Sequence, residues 1–153
     1  MVWAYEHCVR AACSHLEGFK NLIGMGATIS HVEGTYNCVN GTNSMVNHIE
    51  GVANYIIESS YICHIEGQNN SISGSSLSSH IEGGYNVLSN GSQFNHAEGY
   101  KNIITNGSTQ SHIQGAYNII KDNPSTAGSH VEGLYNIIAQ GSRIGHIEGC
   151  YNS

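Results

Sequence analysis

A histidine followed two residues later by a glutamate recurs along the chain, and these residue types serve acid–base catalysis and metal binding. The histidines are His15, His31, His48, His64, His80, His96, His112, His130 and His146. The glutamates are Glu17, Glu33, Glu50, Glu66, Glu82, Glu98, Glu132 and Glu148, with Gln114 in the remaining copy. Nine equivalent copies form a ladder, whereas a catalytic or metal site needs a few convergent side chains. We therefore predict a structural ladder, with no catalytic, metal-binding or cofactor-binding residue and no cofactor.

Metal binding and catalysis remain the alternatives. An ion held octahedrally at one level of a trimer would use the same histidines and carboxylates. A polysaccharide-cleaving solenoid enzyme would need a cluster of carboxylates in one cleft. An active site usually interrupts a repeat at one place, and Gln114, the one break in the glutamate column, removes a titratable group. We expect a protein that is not an enzyme.

The spacing of the histidines defines a repeat, because successive steps are 16, 17, 16, 16, 16, 16, 18 and 16 residues. Glycine follows each histidine by three positions, and asparagine by six. The asparagines are Asn21, Asn37, Asn54, Asn70, Asn86, Asn102, Asn118, Asn136 and Asn152. Sixteen residues are too few for a repeat of paired helices, and the unit lacks the apolar spacing of a helix. The period therefore points to an all-β repeat.

Each unit predicts two short strands joined by two turns. The residue after every histidine is apolar and has polar neighbours, which indicates a strand with one buried face. Columns seven and eight residues after the histidine are also mostly apolar, so one must face inward and the other outward. The glycine after the glutamate is expected to turn the chain. Copies stacked ~4.8 Å apart predict a left-handed parallel β-roll or β-solenoid of about nine 16-residue coils, with the asparagines in a hydrogen-bonded ladder.

The repeat divides the chain into two parts. Residues 14–153 form the predicted β-solenoid domain, and residues 1–13 are expected to be an N-terminal cap or docking segment. The two longer steps predict loop insertions, the second of them around Pro124. The last unit stops partway through a coil, so we expect it to continue in a parent protein or to dock against another chain.

Stacked glutamates repel one another, by roughly 1 kcal/mol per pair in water. We expect the histidine and glutamate columns to meet across subunits as hydrogen-bonded pairs. Such pairing would lower the pKa of each glutamate and raise the pKa of each histidine, so stability would peak in mildly acidic to neutral solution.

Tyrosine lies five residues after the histidine at Tyr36, Tyr85, Tyr117 and Tyr135, and also at Tyr151. These rings are candidates for contact with a glycan or another surface. The alternative is that each ring only covers the turn beside it.

Composition excludes several classes of function. The net charge of -6 and five scattered lysines and arginines give no basic patch, so nucleic-acid binding is not expected. The first residues contain neither a secretory signal nor a membrane span, which predicts assembly in the cytoplasm. The five cysteines follow no metal-binding spacing and are expected to be free, partly buried thiols.

The Ser-His-x-Glu-Gly units, such as Ser14–Gly18 and Ser129–Gly133, resemble the "SHAEG" head repeats of trimeric autotransporter adhesins, the YadA-like head, and similar runs in phage tail fibres. Asn95-His96-Ala97-Glu98-Gly99 comes closest to that wording. The resemblance implies a left-handed β-roll, a homotrimer, and a role in attachment or as a fibre spacer. The repeat here is longer, and the neck, stalk and anchor of an adhesin are absent from this sequence.

We therefore predict a non-enzymatic structural fibre module, in a phage tail fibre, another virion appendage or an extracellular adhesin-like fibre. The chain would associate with two further copies of itself as a homotrimer, and the assembly could contact a host surface. The alternatives are a subunit of a self-assembling head-to-tail filament and a carbohydrate-binding module that uses the tyrosine column on a cell-surface glycan.

Overall fold

In the computed structural model, residues 7–8, 14–24, 26–121, 128–139 and 145–153 can be described, for 7–8 the backbone alone. The described residues form parallel strands and no helix. Each coil contributes one strand to each of two nine-stranded sheets. The predicted β-solenoid with a spacing of about 16 residues is confirmed.

The sheet that carries the histidines, called the histidine sheet below, has five-residue strands. They are β2 (His15–Phe19), β4 (His31–Thr35), β6 (His48–Val52), β8 (His64–Gln68), β10 (His80–Gly84), β12 (His96–Tyr100), β14 (His112–Ala116), β16 (His130–Leu134) and β18 (His146–Cys150). Equivalent residues pair directly, so His80 lies between His64 and His96. One turn of the chain therefore places each side chain over its copy in the preceding coil.

The other sheet, called the short-strand sheet, has strands of two or three residues. They are β1 (His7–Cys8), β3 (Leu22–Ile23), β5 (Cys38–Asn40), β7 (Tyr55–Ile57), β9 (Ser71–Ile72), β11 (Val87–Leu88), β13 (Ile103–Thr105), β15 (Ile119–Lys121) and β17 (Ile137–Ile138). β1 pairs with β3, so residues 7–8 of the expected N-terminal cap continue this sheet. The rest of that segment, 1–6 and 9–13, lies outside the described residues.

Two apolar columns form the core between the sheets. The residue after the histidine is fully buried from Val32 to Val131, and Leu16 and Ile147 pack against it at the two ends. The column eight residues after the histidine is also buried, with at most 3% exposed, at Ile138. The column seven residues after points outward, as alternation along a strand requires.

The expectation of two strands per coil is incomplete, because a third side closes the coils that are described between Thr28 and Thr109. Single-residue parallel bridges join Thr28, Met45, Tyr61, Leu77, Gln93 and Thr109 in succession. The residue before most of them is a fully buried serine, namely Ser44, Ser60, Ser76, Ser92 and Ser108. Several of these hydroxyls donate to a carbonyl of their own turn, as Ser76 Oγ does to Ser73 O at 2.7 Å. A hydroxyl that is satisfied locally can enter the core, so this side needs no apolar column.

The two longer steps leave the stacking in register. His31 pairs with His48 across the first, whose extra residue lies in the turn after β5, as predicted. His112 pairs with His130 across the second, and the insertion around Pro124 lies outside the described residues.

Candidate functional site

The glycine three residues after the histidine has a different role from the one expected. It lies inside the strand, with φ near +110° as at Gly18, and the chain turns two residues later. A Cβ atom on Gly83 would collide with the carbonyl oxygen of Gly99 in the next coil. The residue at the turn itself takes a left-handed conformation, with φ 58° at Tyr85. Close stacking of strands therefore requires the glycine.

The asparagine column binds the coils together through backbone groups. Asn86 is fully buried, and its Nδ2 donates to Glu82 O at 3.1 Å and to Gly99 O at 2.9 Å. Its Oδ1 accepts the backbone N–H of Asn102 at 2.9 Å. The same pattern runs from Asn21 to Asn152. Each amide thus satisfies the turn of its own coil and holds the next coil in register.

The histidine column forms a continuous stack on the outer face of the histidine sheet. Ring centroids of successive histidines lie 4.7 to 5.1 Å apart, and most neighbouring rings are close to parallel. The Nε2 atoms of His48, His64, His80, His96 and His112 are buried and have no hydrogen-bond partner within the chain. This stack is therefore ordered but leaves polar atoms unsatisfied.

Histidine and glutamate meet within one chain at the margin of hydrogen-bonding distance. In six coils the Nε2 atom lies 3.5 to 3.9 Å from the carboxylate of the same strand, and His15–Glu17 is the shortest pair. Gln114 donates through Nε2 to Glu98 Oε2 at 3.3 Å. The break in the glutamate column thus supplies a donor to a neighbouring carboxylate and relieves the repulsion there.

Within the single chain, three histidines at the centre of the stack have a lowered pKa, whereas the expected rise depends on pairing with a second chain. Burial lowers the pKa of His80, His96 and His112 below 6.5, and neighbouring histidines lower it further. Nearby glutamates act in the opposite direction but do not reverse the result. Stacking places each imidazole between two others, so removal from water and like charge outweigh the carboxylates.

The tyrosines predicted as contact residues lie at the turn between the two sheets. Tyr117 stacks on Tyr135 with centroids 4.7 Å apart and meets Tyr100 edge to face at 5.7 Å. Tyr85 also meets Tyr100 edge to face. Tyr36, which lies far from them along the stack, meets Phe19 edge to face. The Nζ atom of Lys101 lies 5.3 Å from the Tyr117 ring centroid, within reach of a cation–π contact. An open groove of about 470 Å³ is lined by Tyr85, Tyr117 and Tyr135 together with Lys101, Val87, Ile103 and Ile119.

A second exposed column was missed from the sequence. It occupies the turn just before each histidine strand and contains Ile29, Val46, Ile62 and Phe94, whose exposed fractions are 51, 41, 48 and 54%. Each has a left-handed backbone, with φ between 53° and 57°. We call these four residues the corner ridge. Alignment of the units would show the column, but only the structure shows that it faces outward.

The cysteines occupy unrelated positions. Cys38, Cys63 and Cys150 are free thiols, and burial raises the pKa of Cys63 to about 11. Such a thiol stays protonated and unreactive. The side chains of Cys8 and Cys13 lie outside the described residues.

Within the described part of the chain, no three His, Cys, Asp or Glu side chains converge as a metal site would require. Among the same residues, no helix has the length and apolar character needed to span a bilayer. No protein-family model matches the chain, and no curated protein matches its sequence.

Proposed function

We propose that this chain is a non-enzymatic structural module of a fibre, in which it acts as a rigid spacer and presents a surface for attachment to a host. The observation that supports this most is the histidine stack, which lies on the outer face and recurs in every strand of the histidine sheet. An enzyme concentrates its chemistry at one level, whereas a fibre segment repeats one surface along its length.

The proposed assembly is a homotrimer with the solenoid axes parallel to the three-fold axis. An exposed apolar surface supports an assembly of several chains. The corner ridge presents Ile29, Val46, Ile62 and Phe94 to solvent, although glycine or a polar residue would suit their left-handed backbone better. In a ring of three chains, each interface joins one face of a chain to a different face of its neighbour.

The resemblance to the SHAEG head repeats supports the same proposal. It favours a tail fibre or another appendage of a virion, or an extracellular adhesin-like fibre, as the setting of this module. Assembly in the cytoplasm, followed by incorporation into a particle, is the proposed route.

Sedimentation equilibrium at several protein concentrations tests the proposed assembly. Three chains of 16.4 kDa give 3 × 16.4 = 49.2 kDa, and this mass should not change with concentration. A mass of 16.4 kDa throughout would contradict the proposal. A mass that grows steadily with concentration would favour the head-to-tail filament.

A carbohydrate-binding module is the second candidate, and the tyrosine groove favours it. Aromatic rings beside a lysine can stack on sugar rings and hydrogen-bond their hydroxyls. However, Tyr117 and Tyr135 stack on each other, which covers one face of each ring. Glycan-array binding that is lost in the Tyr85→Ala, Tyr117→Ala double variant would support this candidate, and the absence of any glycan signal would remove it.

A further inference from the structure

The corner ridge combines exposed apolar side chains with a left-handed backbone, and each of these features is unfavourable in an isolated chain. Its residues are exposed and apolar, and all four have positive φ. A β-branched residue such as Ile62 or Val46 is a clear outlier in this conformation, which suits glycine and asparagine. Asparagine or glycine at these positions would relieve the strain and remove the exposed apolar surface. Strain that persists at an exposed position points to a function for the side chain.

The backbone accounts for the conformation but not for the side chains. The N–H of Ile62 donates to Met45 O at 2.9 Å, and the N–H of Phe94 donates to Leu77 O at 2.8 Å. Ser78, Gln110 and Gly128 continue the same column, also with positive φ. The fold therefore accepts polar residues and glycine at this turn, and the apolar ridge needs another reason.

The ridge lies beside the unsatisfied edge of the histidine stack. At the level of His15, His31 and His48, a groove of about 340 Å³ lies between the two columns and is lined by Ile29 and Val46 of the ridge. The buried Nε2 atoms without partners belong to the same outer face. An occupant of this face would cover the exposed apolar side chains of the ridge and the edge of the imidazole stack.

The exposed tyrosine column, unlike the corner ridge, has contacts within the chain that explain part of its surface. Its residues also have positive φ, but their rings contact one another along the stack, and Lys101 lies over three of the rings in this region. Contacts within the chain therefore account for part of the tyrosine surface. No aromatic contact of this kind involves the described corner ridge.

We infer that the corner ridge and the groove beside the histidines form the seam at which a second copy of this chain packs. The ridge presents its side chains at intervals of ~4.8 Å or multiples of it, and another solenoid of the same rise, aligned in parallel, has grooves at the same spacing. The inference rests on the proposed assembly and names the surface that forms it.

A triple variant, Val46→Asn, Ile62→Asn and Phe94→Asn, tests the seam. Asparagine tolerates the left-handed conformation, so the fold should be retained in circular dichroism while association weakens at least tenfold. The matched control carries Val87→Thr, Ile103→Thr and Ile119→Thr on the outer face of the short-strand sheet. It should keep the assembled mass in sedimentation equilibrium.

The outcomes separate the seam from the proposed function. If the parent chain and the ridge variant are equally assembled, the seam is wrong and the assembly stands. Loss of assembly in the control alone would place the seam on the tyrosine side. A parent chain that is monomeric throughout overturns both.

A cross-linking measurement on the parent sequence covers the case in which the triple variant fails to fold. A photo-reactive phenylalanine analogue at Phe94 should give cross-linked pairs of chains, and the same analogue at Tyr135 should give several-fold less. Equal yields, or cross-links from Tyr135 alone, would contradict the seam.

Discussion

At the scale of single residues, the asparagine column shows how one side chain can hold two coils. Asn86 is fully buried, and it satisfies two carbonyls and one N–H. A buried backbone group that loses its partner is more costly than the bond itself is favourable. This asymmetry explains why the asparagine occurs in every copy of the repeat.

Replacement of Asn86 by alanine should therefore destabilise the chain strongly. Three backbone groups would lose their partner, and we expect a loss of about 2–5 kcal/mol in the free energy of unfolding. Urea titration followed by circular dichroism measures it. The control is Gln68→Ala, an exposed position in the neighbouring coil that should change stability by less than about 0.5 kcal/mol. Equal effects of the two substitutions would refute the role given to the asparagine.

The histidine stack makes stability depend on pH. His80, His96 and His112 have a lowered pKa in the fold, so the unfolded chain binds more protons near the ordinary value of 6.5. Their stabilising contribution is complete above 6.5 and is lost as the pH falls through the lower folded pKa. We expect the urea midpoint to fall between about pH 7 and pH 5.

The control for this pH dependence is the triple variant His80→Gln, His96→Gln, His112→Gln. It lacks the three imidazoles and should show a weaker fall in the same interval. A midpoint that stays level or rises on acidification of the parent chain would contradict the lowered pKa values.

At the scale of the strand, the glycines set how closely the coils approach. Gly83 and Gly84 are adjacent in β10, but only Gly83 has a positive φ and faces the carbonyl of the next coil. A Cβ on Gly84 would instead make ordinary contact with the Tyr100 ring, at 3.5 Å.

Gly83→Ala should therefore be destabilising by more than about 3 kcal/mol, or should prevent folding, because backbone strain and a steric clash add. Gly84→Ala should be neutral or slightly stabilising, by up to about 1 kcal/mol, through the entropy of the unfolded chain. Thermal unfolding of the two variants compares them directly. A well-folded Gly83→Ala variant with unchanged stability would show that the coils are not stacked this closely.

The strand scale also shows what the sequence could and could not predict. The alternation around Ile81 and the paired columns at Ile103 and Ile104 predicted both sheets and one inward column in each. They did not show that Ile104, and not Ile103, faces inward. The third side was missed because Ser60 and Ser76 enter the core as polar residues, and no apolar column marks them. The turn was assigned to the glycine instead of Tyr85, since tyrosine is not expected at positive φ.

At the scale of the whole molecule, the histidine–glutamate ladder was visible as a set of residues, but its electrostatics were not. Spacing along the chain placed His80 and Glu82 on one face. It could not show that burial, with a smaller contribution from the neighbouring imidazole, lowers the pKa of His80 within the single chain. The corner ridge was missed for a similar reason, because exposure depends on how the third side closes.

The whole account depends on coils that stack in register, so that each repeat lies directly above the preceding one. Electron–electron double resonance between spin labels tests this most directly, with a chain whose cysteines are replaced by serine and which is diluted with unlabelled protein. Labels at Glu50 and Glu132 are five coil steps apart, and labels at Glu33 and Glu132 are six. We predict narrow distributions near about 24 Å and about 29 Å. Distances that do not differ by one coil step, or broad distributions for both pairs, would contradict the stacked solenoid.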